Sequence, residues 1–293
     1  MQRTKFKKAT AILTADWHLR EDIPDCRTDD FETAQWDKIR FISDLQKKHN
    51  CPVLHAGDLF HHWKPSPRLI TLAIRYLPDN FYTIYGQHDL PQHNIQLSEK
   101  CGINTLIEAG KIKLLDGCHW DQVPEYESFM IDNKKILVWH IMTYTGVAPW
   151  PGCVAPQSMK LLKKYPQFDL ILTGDNHKPF TVVYKKRLHV NPGNITRQAA
   201  DQINYHPRIY LWYIETNTVE AVYLPISDGV ISKEHLERKQ KRDNRIEAFV
   251  ERLNTEWESG ISFEENLQRF KQNNNIPNEV MQIIYKSIEK SKL

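Results

Sequence analysis

Pro52-Val53-Leu54-His55-Ala56-Gly57-Asp58-Leu59-Phe60 decides the fold. A short apolar run closes on a glycine and a carboxylate, the form taken by a buried strand that delivers a polar side chain at its carboxyl end. Working outward, the pattern recurs. Ala11-Ile12-Leu13 precedes Asp16-Trp17-His18, and Phe81-Tyr82-Thr83-Ile84-Tyr85 precedes Gly86-Gln87-His88-Asp89. Further on, Ile136-Leu137-Val138 precedes Trp139-His140, and Leu170-Ile171-Leu172 precedes Gly174-Asp175-Asn176-His177. One such segment is an ordinary turn or helix cap. Five in succession place Asp, His and Gln side chains where the ends of neighbouring strands can meet on one sheet edge.

Helical patterns alternate with these strands, so the class is α/β. Phe31, Ile39, Ile42 and Leu45 share one side of a helix over about 30–50. Ser66-Pro67 opens a second helix through about Leu77, with proline in its first turn. A third is expected from about Ser98 to Ala109, stopped by Gly110, and a fourth from Ala155 to Tyr165. Strands dominate 111–140, with a hairpin at Asp132-Asn133, and return over 180–190, 208–214 and 218–225. Composition changes near Asp228-Gly229. Residues 1–228 therefore read as one domain and 229–293 as a helical appendage. There Ile246, Phe249, Val250, Leu253 and Trp257 keep helical spacing. Ser262-Phe263-Glu264-Glu265 is a capping box, and Pro277 opens a last helix with Val280, Ile283, Ile284 and Ile288 on one face.

Bulk properties exclude several classes. A formal net charge of +3 over 293 residues gives no whole-chain basic signature, so any nucleic-acid contact must come from local patches. Cys26, Cys51, Cys101, Cys118 and Cys153 are scattered and form no CxxC, which argues against a disulfide framework or a zinc ribbon and for a reducing compartment. The basic N-terminus has no apolar signal core, and no stretch approaches the roughly 18 apolar residues of a membrane span. The expectation is a cytoplasmic protein without membrane contact.

The order DxH, GD, GQHD, H, GDNH resembles that of the calcineurin-like metallophosphoesterases, whose pattern is DxH, GD, GNH(D/E), H, GHxH. Ala56-Gly57-Asp58-Leu59-Phe60-His61 with Lys64-Pro65-Ser66, and Asn191-Pro192-Gly193-Asn194 with Arg197, narrow the likeness to SbcD-type DNA double-strand-break repair nucleases, including short phage-encoded members. The resemblance covers about residues 10–225. It implies two facing mixed β-sheets flanked by helices. It also implies two divalent ions, one held by Asp16, His18, Asp58 and His177, the other by Asp58, Gln87, His140 and Asp175, with Asp58 shared. Such a pair can clamp a phosphate and activate water. His88 matches the family's catalytic histidine, with Asp89 as a candidate to orient it, and His61 matches a histidine linked to exonucleolytic strand positioning.

Two positions depart from the family pattern. Gln87 stands where the pattern has asparagine, and Asp175 where it has histidine. Both keep a donor atom, and the added carboxylate shifts the expected preference toward Mn²⁺ and away from Zn²⁺. The implied activity is metal-dependent DNA cleavage, exonucleolytic and potentially endonucleolytic, in repair or recombination. The rivals are a phosphoesterase for small esters or cyclic nucleotides, and a catalytically silent DNA-binding subunit. Lys64, Arg68 and Arg197 are candidates for DNA contact, and Trp17, Trp63, Tyr85 and Trp150 for base stacking. Expected partners are DNA, an SbcC-type coiled-coil ABC ATPase, and a second copy through the apolar segments 66–77 and 98–109. His55, His62 and His93 read as ordinary core or surface residues.

Overall fold

The computed structural model describes residues 7–125, 129–255 and 262–291. Packing divides the chain into two units, Met1–Ser232 and Lys233–Leu293. In chain order the first holds β1 (Ala11–Thr14), α1 (Phe31–His49), β2 (Val53–His55), α2 (Pro67–Tyr76), β3 (Phe81–Thr83), α3 (Gly102–Glu108), β4 (Ile112–Leu114), β5 (Phe129–Ile131) and β6 (Lys134–Trp139). It continues with α4 (Ser158–Lys164), β7 (Leu170–Thr173), β8 (Phe180–Tyr184), β9 (Arg187–Asn191), β10 (Arg208–Tyr213) and β11 (Thr218–Tyr223). One sheet runs β11-β10-β1-β2-β3-β4 and the other β5-β6-β7-β9-β8. β1 to β4 are mutually parallel, as are β6, β7 and β9, while β10, β11, β5 and β8 join antiparallel, so both sheets are mixed.

Period-two alternation decides which layer each side chain enters. Ile12, Val53 and Phe81 face the helices and meet Trp36, Ile39 and Ile42 of α1 and Leu69 of α2. Leu13 and Leu54 turn the other way and meet Val138, Leu172 and Val190 of the second sheet. Leu137 and Ile171 pack outward against Leu161 and Leu162 of α4. The layers are helix, sheet, sheet, helix. Capping follows the sequence signals: Asp30 accepts from the Thr33 amide and Ser66 from that of Leu69, with Pro67 in the first turn of α2.

Two helices are shorter than the apolar pattern predicts. The third breaks at Cys101, which is extended (φ −90°, ψ 155°) between a 3₁₀ segment, Ile95–Lys100, and α3. The fourth begins at Ser158 because Gln157 pairs with Tyr144, and the Ser158 amide donates to the Tyr144 carbonyl. The candidate dimer segment 66–77 spends Leu69 and Leu77 in the protein's own core and leaves Ile74 exposed.

The second unit has three helices among the described residues: α5 (Glu234–Thr255), α6 (Phe263–Asn274) and α7 (Asn278–Ser291). The Ser262–Glu265 capping box forms in full. Leu267, Phe270 and Met281 are buried, whereas Ile246, Val280 and Ile283 are exposed. Trp257 of the expected apolar stripe lies outside the described residues, as do the side chains of Phe249, Val250, Leu253 and Ile288. Among the described residues, no helix is long and apolar enough to cross a membrane.

Candidate metal centre

The side chains that follow β1, β2, β3, β6 and β7 meet at one edge. The backbone leaves these strands abruptly. Asp16, His18, Asp58 and Asp175 all have positive φ, at 52°, 45°, 58° and 70°. In that left-handed region Asp, Asn and His are enriched among non-glycine residues. The glycines beside the donors answer to close approach. A Cβ at Gly57, whose φ is +89°, would lie 2.5 Å from His140 Nδ1, and one at Gly86 would lie 2.1 Å from Asp58 Oδ1.

Donor atoms of Asp16, His18 and His177 lie within 4.8 Å of one another, as do those of Asp16, Asp58 and His140. His18 Nε2 is 3.1 Å from His177 Nε2. Asp58 Oδ2 stands 3.7 Å from His18 Nε2 and 3.5 Å from His140 Nε2, between the two groups. This arrangement fits cations. His140 Nδ1 donates to the Ala56 carbonyl at 2.6 Å, and its Nε2 faces two further acceptors, Gln87 Oε1 at 2.6 Å and Asp58 Oδ2, which only a proton on Nε2 or a metal ion can join to it. Asp16 Oδ2, Asp58 Oδ2 and His18 Nδ1 are buried and unbonded. Converging lone pairs and orphaned carboxylate oxygens in a dry site call for positive charge.

The titration of these groups points the same way. Burial, with the neighbouring Asp58 carboxylate adding to it, raises Asp16 well above the usual carboxylate range. Burial alone would lower His140, but Asp58 drives its imidazole upward, and His140 in return holds Asp58 low. Mixed imidazole, carboxylate and amide donors suit first-row divalent ions.

The two departures from the motif pattern touch each other. Gln87 Nε2 donates to Asp175 Oδ1 at 2.6 Å while Gln87 Oε1 faces His140. The Asp175 amide donates to Asp16 Oδ1 at 2.9 Å, linking the pair back to the first donor group.

His88 and His61 lie at the rim. Their rings stack with centroids 5.4 Å apart, and His18 stands edge-on to His88 at 4.8 Å. His88 Nδ1 donates to the His61 carbonyl at 2.9 Å, which fixes the ring's tautomer and leaves Nε2 for other chemistry. Burial, with the Arg20 cation, pushes the His61 imidazole down to about 4, so it is neutral at neutral pH. Asp89 does something other than orient His88. It turns inward and accepts from the amides of Asp58, Leu59, Phe60 and Gly86 at 2.8–3.2 Å. It is therefore the clasp of the Asp58 loop.

The DNA-contact candidates separate. Lys64 is exposed and lines a cleft of about 310 Å³ with Arg20 and His61. Arg68 is exposed but engaged by Glu21 and Glu32. Arg197 is a correction. It is buried, and its two terminal nitrogens donate to the Ile203 and Ser227 carbonyls, so it is committed to the fold rather than offered as a surface cation. Trp17 and Tyr85 are core residues and unavailable for base stacking, whereas Trp150 is exposed. His55 is buried against Thr83, and His62 is exposed.

Sequence reasoning missed Arg20 and Gln198, whose amide reaches the His18 carbonyl. It also left Asn191 without a physical role. Asn191 Nδ2 ties down the carbonyls of Asn176 and Lys178, either side of His177.

The family model of the calcineurin-like phosphoesterase superfamily domain matches residues 11–206. The chain belongs to that superfamily. Its members are metal-dependent phosphoester hydrolases, and the donor clusters occupy the strand-end edge expected for this chemistry. Among solved structures the chain is similar to a novel archaeal phosphodiesterase at 18% identity and TM-score 0.45, covering 73% of this chain and 99% of that one. A predicted phosphoesterase from Streptococcus pneumoniae follows at 14% and 0.36, covering 70% and 83%. Vacuolar protein sorting 29 from Cryptosporidium parvum aligns at 17% and 0.38, covering 74% and 97%. No curated protein sequence matches the chain.

Proposed function

We propose that this superfamily member is a DNA nuclease of the SbcD type, acting in repair or recombination. The observation that carries the reading is His61. It belongs to the Asp58-Leu59-Phe60-His61 segment that sets the nucleases apart in sequence, and it stacks on His88 at the metal centre's rim. The exposed Lys64 flanks it, which suits a nucleic-acid backbone approaching from that side, while Arg20 next to it is held by Asp22 and Gln198.

Asp16, His18, Asp58 and His177 would hold one ion, and Asp58, Gln87, His140 and Asp175 the other. The ions, for which Mn²⁺ is our assignment, supply Lewis-acid activation of water and neutralise charge on the phosphate. Asp89 keeps the Asp58 carboxylate in place through the loop amides. His88, its Nδ1–H held by the His61 carbonyl, would protonate the leaving oxygen from Nε2 as the imidazolium, with a second proton on that nitrogen, and return to the neutral ring. Replacing His88 with Asn should lower turnover about 10²-fold with metal content retained; collapse of metal content would make His88 a ligand instead.

A silent DNA-binding subunit remains the second reading because Gln87 and Asp175 engage each other. Metal analysis together with cleavage of single- and double-stranded oligonucleotides separates the two. Cleavage of DNA with two ions bound supports the nuclease. Turnover restricted to small phosphate esters sinks the nuclease reading while leaving the superfamily chemistry intact. A coiled-coil ATPase partner and a homodimer belong to the same proposal, and co-sedimentation at micromolar concentration tests both.

A further inference from the structure

His140 also forms one wall of a cavity of about 700 Å³ that the metal chemistry leaves without a role. Trp120, Trp139 and Tyr144 supply aromatic walls, Val154 stands at the rim, and Lys160 and Lys164 lie along one side. The volume suits a nucleotide-sized guest. The Trp120 ring is 6.1 Å from that of His140, centroid to centroid, and its backbone amide is anchored on the Tyr85 carbonyl beside the Gln87 segment. Lys160 and Lys164 are exposed, one turn apart, and share a face of α4. Across the opening, the loop from Tyr144 to Gln157 is closed at its base by their pairing and by Gln157 Nε2 donating to the Gly146 carbonyl at 2.9 Å. Held there, it leaves Val154 99% exposed, and Val123 on the same cavity is 61% exposed. Asp121 is the one carboxylate among the lining residues.

Aromatic walls, two cations at the side and a wall shared with the metal centre together describe a guest with a flat apolar body tethered to an anion. An unpaired nucleobase on its own phosphate has that form, and aromatic rings accept any base by stacking. In a duplex the base faces are already covered. We propose that this cavity, with Trp120 as its stacking platform, takes the unpaired base of the nucleotide whose phosphate lies at the metal centre. The nuclease would then favour single strands and frayed ends. This inference rests on the nuclease reading above.

The test uses the full chain with Mn²⁺ and single-stranded oligonucleotides carrying either a base or a stable abasic residue beside the scissile bond. An abasic residue on one side of that bond should raise KM by about 5- to 150-fold, the worth of one stacked base. Trp120→Ala should raise KM comparably on the base-bearing strand and little on the abasic one. Val154→Asp alters an exposed rim residue without touching the core and should also raise KM on the base-bearing strand. It decides the matter with the abasic series if Trp120→Ala does not fold. Equal KM for base and abasic substrates, or losses carried equally onto both, overturn the cavity assignment and leave the nuclease standing. Failure to cleave any oligonucleotide while glycerol phosphate is hydrolysed removes the nuclease reading, and the cavity assignment falls with it.

Discussion

At the residue scale, Asp58 combines a buried, unbonded carboxylate oxygen with a position between two imidazole groups. In the chelated protein His140 compensates that charge, and breaking a buried pair destabilises a fold. Asp58→Asn should therefore lower the melting temperature of the chelated protein, erase the stabilisation expected from added Mn²⁺, and cut hydrolysis on the order of 10³-fold or more. Thermal melts with and without EDTA, beside an activity assay, check all three. Gln87 and Asp175 form a second residue-scale unit. Because they touch, Gln87→Asn and Asp175→His should be strongly non-additive. The double variant should relax the proposed Mn²⁺ preference toward Zn²⁺ more than the two single changes summed. Additive effects in a metal-competition assay would show that the pair does not act together at the second ion.

At the element scale, α1 buries a lysine. Lys38 lies against the core side of the helix with its amine on the Ala34 carbonyl, and burial, with Arg27 and Arg197 nearby, lowers it from 10.5 to about 8. The folded state thus releases this proton before the unfolded chain does. Between pH 8 and 10.5 the unfolded chain binds more protons, so this group makes stability rise with pH across that window. Lys38→Met should raise the urea midpoint at pH 7.5 and flatten that rise; an unchanged slope from pH 8 to 10 would contradict it.

The elements themselves were legible where one residue type carries the signal. Apolar runs marked the strands, and Ser66-Pro67 and Ser262–Glu265 marked helix starts. The convergence of Asp16, His18, Asp58, His140 and His177 was legible because each follows a strand. What could not be read was direction after a tight turn. Asp89 adjoins His88 in the chain, yet it faces the opposite way, onto the amides of residues 58–60. Arg197 looked like a surface cation, but its burial depends on Ser227, thirty residues away. The break at Cys101 is equally tertiary, since the Gly102 amide just after it donates to the Trp63 carbonyl at 2.8 Å, on a distant segment.

At the scale of the whole molecule, the change in composition at 228 and the packing boundary after Ser232 differ by residues that matter. Val230 and Ile231 are buried in a small cluster with Cys26 and Ala200, and Ile231 pairs with Arg27. The Ser232 amide donates to the Cys26 carbonyl at 2.7 Å. A chain ending at 232 should fold, bind metal and hydrolyse phosphoesters like the full protein. One ending at 228 should lose about 2–4 kcal/mol, roughly the burial of two aliphatic side chains discounted for a small cluster. Urea denaturation of the two truncations measures the difference. Equal stability would mean that the cluster contributes nothing.

The left-handed backbone at Asp16, His18, Asp58 and Asp175 also limits how this protein can be reprogrammed. Library design usually treats every position as open to all residue types. Here valine, isoleucine and threonine would each carry strain of about 1–3 kcal/mol, while glycine fits but brings no donor atom. The useful alphabet shrinks to aspartate, asparagine and histidine. Exchange of histidine for aspartate at 175 stays inside that alphabet. A search for variants retuned to another ion can be confined to these three letters at the four sites, where a laboratory screen can sample every combination.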